Sequence, residues 1–194
     1  MAAGAMDKLV VILFACAWGG VEVYSQMQQR RRRGGATTPA DRGSLIMLYA
    51  CITVGYGIAF AMSYSPHGRL PVGQPFWLVV GAAFVAGGLW IRRSAMATLA
   101  AYFTYQVEIK ADHRLVEEGL YRRIRHPGYL GQLLVFLGIG LALANWLSVV
   151  GLLVPVMVGF AWRIRVEEAA MRAEFGERFD DYCRRTRPLI PWVY

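Results

Sequence analysis

Residues 128–166 read GYLGQLLVFLGIGLALANWLSVVGLLVPVMVGFAWRIRV, and this stretch decides the fold. It holds two apolar runs, 128–147 and 149–166. Each is long enough to cross the roughly 30 Å of hydrocarbon in a bilayer as an α-helix. Residues 145–148, Asn-Trp-Leu-Ser, leave almost no loop between the runs. The stretch therefore predicts two consecutive membrane spans that form a tight helical hairpin.

Three further apolar runs precede the hairpin, at residues 7–27, 44–64 and 75–91. The chain has 194 residues, of which 56% are hydrophobic and 18% charged. Runs of this length exceed what the core of a soluble domain of this size holds. The sequence thus predicts an all-α integral membrane protein with five transmembrane helices and a cytoplasmic cap. Residues 1–99 are expected to hold the first three helices, and residues 100–194 the hairpin and a cytoplasmic tail.

The basic residues are divided unequally between the two sides of these spans. The formal net charge is +8, and 19 of the 21 Lys and Arg residues fall on one side of the five predicted spans. Because basic loops stay in the cytoplasm, the N-terminus is expected outside and the C-terminus in the cytoplasm. In a membrane protein such loops meet anionic lipid head groups, so we expect membrane lipids as partners and no nucleic acid.

The sequence offers no familiar metal or nucleotide motif. Its Cys and His residues lack the spacing of metal ligands, so no metal site is expected; they are Cys16, Cys51, Cys183, His67, His113 and His126. The Gly-x-Gly pairs at residues 55–57 and 138–140 lie inside spans, with no strand before them and no acidic partner after them. An enzyme built on this chain would need a less common cofactor site.

A polar motif leads into the fourth run. Pro127 suits the first position of a helix. The free amides of that helix end are a natural seat for an anionic group. Gly128 and Gly131 allow close approach, and Tyr129 offers a ring and a hydroxyl. The motif is compatible with an anchored pocket or with a simple helix start at the membrane surface.

A charged group ends the fifth run. Arg163 and Glu167 are four residues apart and share one helix face, with Glu168 next along the chain. Ionisable groups at membrane depth usually pair or face a site. The alternative is an ordinary helix end from which Arg163 reaches to the surface while the charges stay solvated.

Together, these late motifs resemble one family. The chain is similar to the isoprenylcysteine carboxyl methyltransferases and related membrane methyltransferases over about residues 100–194. The resemblance rests on Arg125-His126-Pro127-x-Tyr129-x-Gly131, Asn145-Trp146, Glu167-Glu168, Phe175-Gly176, Tyr182 and Arg187-Pro188-Leu189-Ile190-Pro191.

The resemblance implies a methyltransferase core in which S-adenosylmethionine lies in the cap, between the His113 loop and the hairpin. Arg163 is expected to bind the carboxylate of a lipophilic acceptor, such as a prenylated cysteine, and to form the catalytic pair with Glu167. Glu168 is expected to have a structural role. The implied cofactor contacts are Gln106, His113, Arg114, Leu115, Val116, Tyr121, His126, Pro127, Gly128, Tyr129 and Glu167.

Three alternative functions stay open. A phospholipid amine methyltransferase has similar late motifs, but its acceptor nitrogen must be neutral, and Arg163 beside it would not help. A membrane sterol reductase would require NADPH. A small transporter or scaffold is favoured only if Arg163 and Glu167 line a polar path.

Overall fold

The described parts of the chain are mainly helical. A computed structural model describes residues 11, 19–20, 22, 27, 43–99 and 115–189. Residues 11, 19–20, 22 and 27 are helical, and the rest of the predicted first span, 7–27, lies outside the described residues. The helices are α1 (Ser44–Ser63), α2 (Gln74–Leu99), α3 (Pro127–Ala142), α4 (Trp146–Phe175) and α5 (Glu177–Arg185), with a 3₁₀ turn at Gly119–Arg122. The predicted all-α membrane fold is confirmed for these residues.

The helices differ in length from the predicted spans. Three of them, α1, α2 and α4, are long and apolar enough to cross a membrane. The 16 residues of α3 are fewer than the predicted run 128–147, because the chain turns at residues 143–145. At 1.5 Å per residue α3 reaches only about 24 Å. The total of five spans therefore stays a prediction.

Two helices extend beyond their apolar runs. Helix α2 continues past residue 91 to Leu99, and α4 continues past residue 166 to Phe175. Neither extension contains a Gly or Pro residue that would end a helix. Both extensions begin beside the start of α3, where Arg92 of α2 approaches Gly128 and Arg163 of α4 contacts Tyr129.

At the opposite end of the molecule, Asn145 joins the turn between α3 and α4 to the loop between α1 and α2. Its Nδ2 donates to the carbonyls of Met62 and His67, each at 3.1 Å, and its Oδ1 accepts from the amide of Leu147 at 2.9 Å. Among the described basic residues Arg69 lies at this end, where it forms a β-bridge with Asn145. This arrangement agrees with the predicted division of charge. The orientation of the two ends across the membrane stays a prediction.

Glycine residues set the packing of α2 on α3. A Cβ atom on Gly81 would lie 2.5 Å from the carbonyl oxygen of Gly138, and one on Gly88 would lie 2.5 Å from that of Gly131. The two antiparallel helices thus touch backbone to backbone, as small residues allow in membranes. Helix α1 packs on α4 and α3 on α4. Gly138, which the sequence placed outside any nucleotide motif, is therefore a packing residue.

Gly88→Ala is expected to destabilise the protein by about 1–3 kcal/mol, because the added methyl group forces the helices apart. Gly87→Ala is the matched control, since a Cβ atom there meets nothing within 4 Å. Melting temperatures of the detergent-solubilised variants measure the difference. Equal melting temperatures for the two variants would contradict the close backbone contact.

Candidate active site

The C-terminal end of the described chain fixes the segment that leads into α3. The amide of Arg125 donates to the carbonyl of Arg187 at 2.8 Å, and the amide of His126 donates to that of Pro188 at 3.0 Å. Pro127 occupies the first turn of α3, as predicted. The amide of Tyr129 bonds to the carbonyl of His126 at 3.0 Å. Because the amides of His126 and Tyr129 already bind carbonyls of the chain, an anion at this helix start would need other donors.

Arg163 is buried at the centre of the site. Its side chain is 1% exposed, and its Nε lies 2.9 Å from Oε1 of Glu167. Its Nη1 donates to Oγ of Ser44 at 2.7 Å. The alternative in which Arg163 reaches to the membrane surface is therefore wrong. Breaking a buried ion pair of this kind costs about 3–5 kcal/mol, because one charge loses its partner.

Glu168 points away from Arg163 and binds the segment before α3. Nε of Arg125 lies 2.7 Å from Oε1 of Glu168. Nη1 of Arg125 also donates to the carbonyl of Thr186 at 2.8 Å. Arg125 thus joins α4 to the chain that follows α5. These contacts agree with the structural role predicted for Glu168.

His126 lies between the two neighbouring carboxylates. Its Nδ1 is 3.4 Å from Oε2 of Glu167, and its Nε2 is 3.2 Å from Oε1 of Glu168. Burial lowers the pKa of His126, but the hydrogen bonds and negative charges of Glu167 and Glu168 outweigh it, so the pKa is raised above its usual value. The imidazolium form therefore stabilises the folded state.

This shift predicts a pH-dependent stability. With a raised folded-state pKa, the contribution of His126 is fully present below its unfolded pKa of about 6.5 and is lost as the pH rises through the folded pKa. The difference in melting temperature between the wild type and His126→Asn should therefore shrink as the pH rises above about 6.5. His67→Asn, at an exposed position in the loop before α2, is the control. A difference that grows with pH would contradict the raised pKa.

Tyr129 connects the aromatic and charged sides of the site. Its ring stacks on His126 with centroids 5.6 Å apart and lies 4.9 Å from the ring of Phe160. Its hydroxyl donates to the carboxylate of Glu167 and lies 3.3 Å from Nε of Arg163. Positive and negative groups thus alternate through one connected network. We call it the charged cluster, and its members are Arg125, His126, Tyr129, Arg163, Glu167 and Glu168.

Leu115, Val116 and Tyr121 lie in apolar packing beside this cluster. Leu115 packs with residues of α5, while Val116 and Tyr121 pack with Ala95 of α2. The carbonyl of Tyr121 accepts a hydrogen bond from the hydroxyl of Tyr182 at 2.7 Å. Burial raises the pKa of the Tyr121 hydroxyl, which therefore stays neutral. These three residues therefore lie at the edge of the charged cluster, and a ligand would have to reach beyond the cluster to contact them.

The structure brings together only some of the predicted site residues. His126, Tyr129, Arg163 and Glu167 contact one another, and Pro127 and Gly128 begin the same helix. The roles assigned to all of these residues stay predictions. The predicted residues that lie outside the described part of the chain are Gln106, His113 and Arg114. Within the described residues, no three His, Cys, Asp or Glu side chains are grouped as metal ligands.

Sequence reasoning missed four residues around the cluster. They are Ser44, Phe160 and the buried pair of Glu22 and Arg92. The rule that ionisable groups at membrane depth pair with each other would have pointed to Glu22, inside the first apolar run, and to Arg92, directly after the third. Ser44 carries no such signal, because it meets Arg163 across 119 positions of sequence.

Comparison with known proteins assigns the family. The model of a family described as phospholipid methyltransferase matches residues 76–178, more than half of the chain. The chain belongs to the phospholipid methyltransferase family. In this family member, the matched segment runs from the start of α2 into α5 and contains the whole charged cluster.

Curated relatives of this phospholipid methyltransferase family member carry a narrower name. A probable protein-S-isoprenylcysteine O-methyltransferase from Oryza sativa subsp. indica is 33% identical over 124 residues, which cover 62% of this chain and 65% of that protein. The protein-S-isoprenylcysteine O-methyltransferase of Saccharomyces cerevisiae is 35% identical over 117 residues, which cover 59% of this chain and 49% of that protein. The chain thus matches between about half and just under two thirds of these relatives, and the predicted resemblance is confirmed.

A solved structure shares the fold. It is the eukaryotic intramembrane Ras methyltransferase, an isoprenylcysteine carboxyl methyltransferase, with a TM-score of 0.60 and 24% identity. The match covers 75% of this chain and 52% of the other. The matched helices therefore share their fold with about half of that structure.

Proposed function

We propose that the protein is an S-adenosylmethionine-dependent methyltransferase of the membrane, which methylates the carboxylate of a lipophilic acceptor such as a prenylated cysteine. The observation that carries the proposal is the buried charged cluster at one end of the apolar helices, which holds Arg163 at 1% exposure beside Glu167. The names of the curated relatives support the same reaction. The cluster end is proposed to face the cytoplasm, because it carries most of the basic residues.

Arg163 is proposed to bind the acceptor. A guanidinium group offers several N–H donors in a planar fork that matches a carboxylate, and charge-assisted bonds of this kind are strong. Its contacts to Glu167 and Ser44 hold the fork in one orientation. The apolar helices around it suit a prenyl chain. Since the acceptor carboxylate is already ionised, the site needs no general base.

The side chains of the charged cluster fit S-adenosylmethionine. Glu167 is a carboxylate that can accept from an amino or hydroxyl group. Gly128 leaves room for a ligand, since a Cβ atom added there would come no nearer than 3.9 Å to the one atom it meets, Nη1 of Arg92. When bound, this cofactor supplies a methyl group on a positively charged sulfur. The full set of proposed contacts is Gln106, His113, Arg114, Leu115, Val116, Tyr121, His126, Pro127, Gly128, Tyr129 and Glu167.

The chain's own task in this reaction is to position groups. Well-oriented reactants gain a large part of the rate by alignment alone, and exclusion of water strengthens every charge in the site. The contacts of Tyr129 and His126 with Glu167 keep that carboxylate in place. The contacts of Arg125 with Glu168 and Thr186 hold the helix start against α4.

Calorimetry on the detergent-solubilised protein tests the proposal. S-adenosylmethionine and its demethylated product should both bind with no added metal. Heat of binding for both compounds supports a methyltransferase site. A folded protein that gives no heat at millimolar cofactor would remove the methyltransferase proposal and favour a transporter or scaffold.

A phospholipid amine methyltransferase is the second candidate, because the matching family is described as phospholipid methyltransferase. That reaction needs a neutral acceptor nitrogen whose single lone pair attacks the methyl group, and a hydrogen bond from the Arg163 guanidinium would occupy that lone pair. A carboxylate can bind the guanidinium through one oxygen and keep the other free to react. The buried guanidinium therefore favours a carboxylate acceptor over an amine.

A further inference from the structure

Two buried arginines flank the start of α3. Arg163 lies on the α4 side, where its Nε is 3.3 Å from the hydroxyl of Tyr129. Arg92 lies on the α2 side, where its Nη1 would be 3.9 Å from a Cβ atom on Gly128. Arg92 is 5% exposed and Arg163 is 1% exposed. The position of both guanidinium groups therefore depends on the protein groups that hold them.

Each arginine is held by a residue from outside the family-matched segment, which begins at residue 76. Glu22 binds Arg92 through two bonds, Nε to Oε1 at 2.7 Å and Nη2 to Oε2 at 2.9 Å. Ser44, the first residue of α1, accepts from Nη1 of Arg163 at 2.7 Å. Both partners are buried, Glu22 at 8% and Ser44 at 0% exposure.

The geometry of these bonds fixes the orientation of each guanidinium group. Two parallel bonds to one carboxylate prevent the Arg92 guanidinium from rotating. Arg163 is held from two sides, by Glu167 at Nε and by Ser44 at Nη1. Arginine side chains have many rotamers, so a guanidinium that loses one of these bonds can shift within the site.

We propose that Glu22 and Ser44 are positioning residues of the methyltransferase site, so that the N-terminal helices complete the site as well as anchoring it. The inference rests on the function proposed above. Ser44 orients the guanidinium of Arg163 toward the acceptor. Glu22 holds the guanidinium of Arg92 next to Gly128 at the start of α3. Misplacement of a reacting group by about 1 Å costs on the order of a hundredfold in rate.

Ser44→Ala tests the proposal against a closely matched control. Ser148→Ala also removes a buried hydroxyl that joins α4 to α1, since Oγ of Ser148 donates to the carbonyl of Ala59 at 2.8 Å. That bond lies at the opposite end of the helices. The readouts are kcat, KM for S-adenosylmethionine and for a farnesylated cysteine, and the melting temperature of the full chain.

Ser44→Ala should lower kcat by about ten- to a hundredfold, with a loss of melting temperature similar to that of Ser148→Ala and with KM for the cofactor within a few-fold. Ser44→Thr, which restores a hydroxyl, should keep kcat near that of the wild type. Glu22→Gln should also lower kcat more than Ser148→Ala does. Equal kcat values for Ser44→Ala, Glu22→Gln and Ser148→Ala would overturn the proposal.

The activity of the wild type shows whether a negative result concerns the positioning roles alone or the proposed function as well. An active wild type with unaffected variants overturns the positioning roles alone. A folded wild type that neither binds S-adenosylmethionine nor transfers a methyl group removes the proposed function and the inference with it. If Ser44→Ala does not fold, Ser44→Cys, which keeps the size but weakens the acceptor, gives the same comparison.

Discussion

Arg163→Ala should abolish methyl transfer while the affinity for S-adenosylmethionine stays within a few-fold of the wild type. The variant removes the proposed ligand of the acceptor carboxylate, and the carboxylate of Glu167 keeps its contacts with Tyr129 and His126. Turnover with a farnesylated cysteine and calorimetry with the cofactor measure the two effects separately.

Two further variants control for stability and charge. Arg165→Ala changes an exposed arginine two positions away and should leave turnover unchanged. Arg163→Lys keeps the charge but loses the fork, so it should recover only part of the activity. A loss of cofactor binding in an Arg163→Ala protein that still purifies folded would contradict this prediction. That result would show that Arg163 and Glu167 form a structural salt bridge and do not bind acceptor and cofactor separately.

Glu167→Ala should weaken the binding of S-adenosylmethionine by about 1–3 kcal/mol, the usual effect of losing one buried charged hydrogen bond. That range corresponds to roughly five- to 150-fold in the dissociation constant. Glu167 is proposed to accept from the amino or ribose groups of the cofactor, and in the structure its carboxylate lies between His126 and Arg163. Calorimetry with the detergent-solubilised variant gives the affinity directly.

The neighbouring carboxylate provides the comparison. Glu168 binds Arg125 and His126, so Glu168→Ala should lower the melting temperature and leave the affinity within a few-fold. Equal losses of affinity in Glu167→Ala and Glu168→Ala would show that the cofactor responds to the shape of the helix start and not to Glu167 itself.

The sequence predicted the elements of the fold better than their contacts. Long apolar runs mark helices because only a helix satisfies its own backbone in lipid, and Pro127 marks the start of α3. A tight turn between the last two spans was predicted at residues 145–148, but it lies at residues 143–145. Hydropathy could not place it more exactly, since residues on both sides of it are equally apolar. In a membrane helix every face is apolar, so the face that packs inward is set by glycines such as Gly81 and Gly88.

The same distinction applies to the site. The pair of Arg163 and Glu167 was predictable, because residues four apart share a helix face and charges at membrane depth seek partners. The contact of Arg163 with Ser44 was not, since it joins helices far apart in sequence. The bond from the His126 amide to Pro188 likewise depends on where the end of the chain folds back. Such contacts follow from the packing of whole helices.

The proposed function requires a carboxylate acceptor, and one measurement tests that requirement directly. Purified protein is given S-adenosylmethionine with a labelled methyl group, together with a farnesylated N-acetylcysteine and phosphatidylethanolamine in the same detergent micelles. This function predicts label on the cysteine compound as a methyl ester, from which base releases methanol. The Arg163→Ala variant should not form this ester. Label found on the lipid amine, in a form that base does not release, would contradict it.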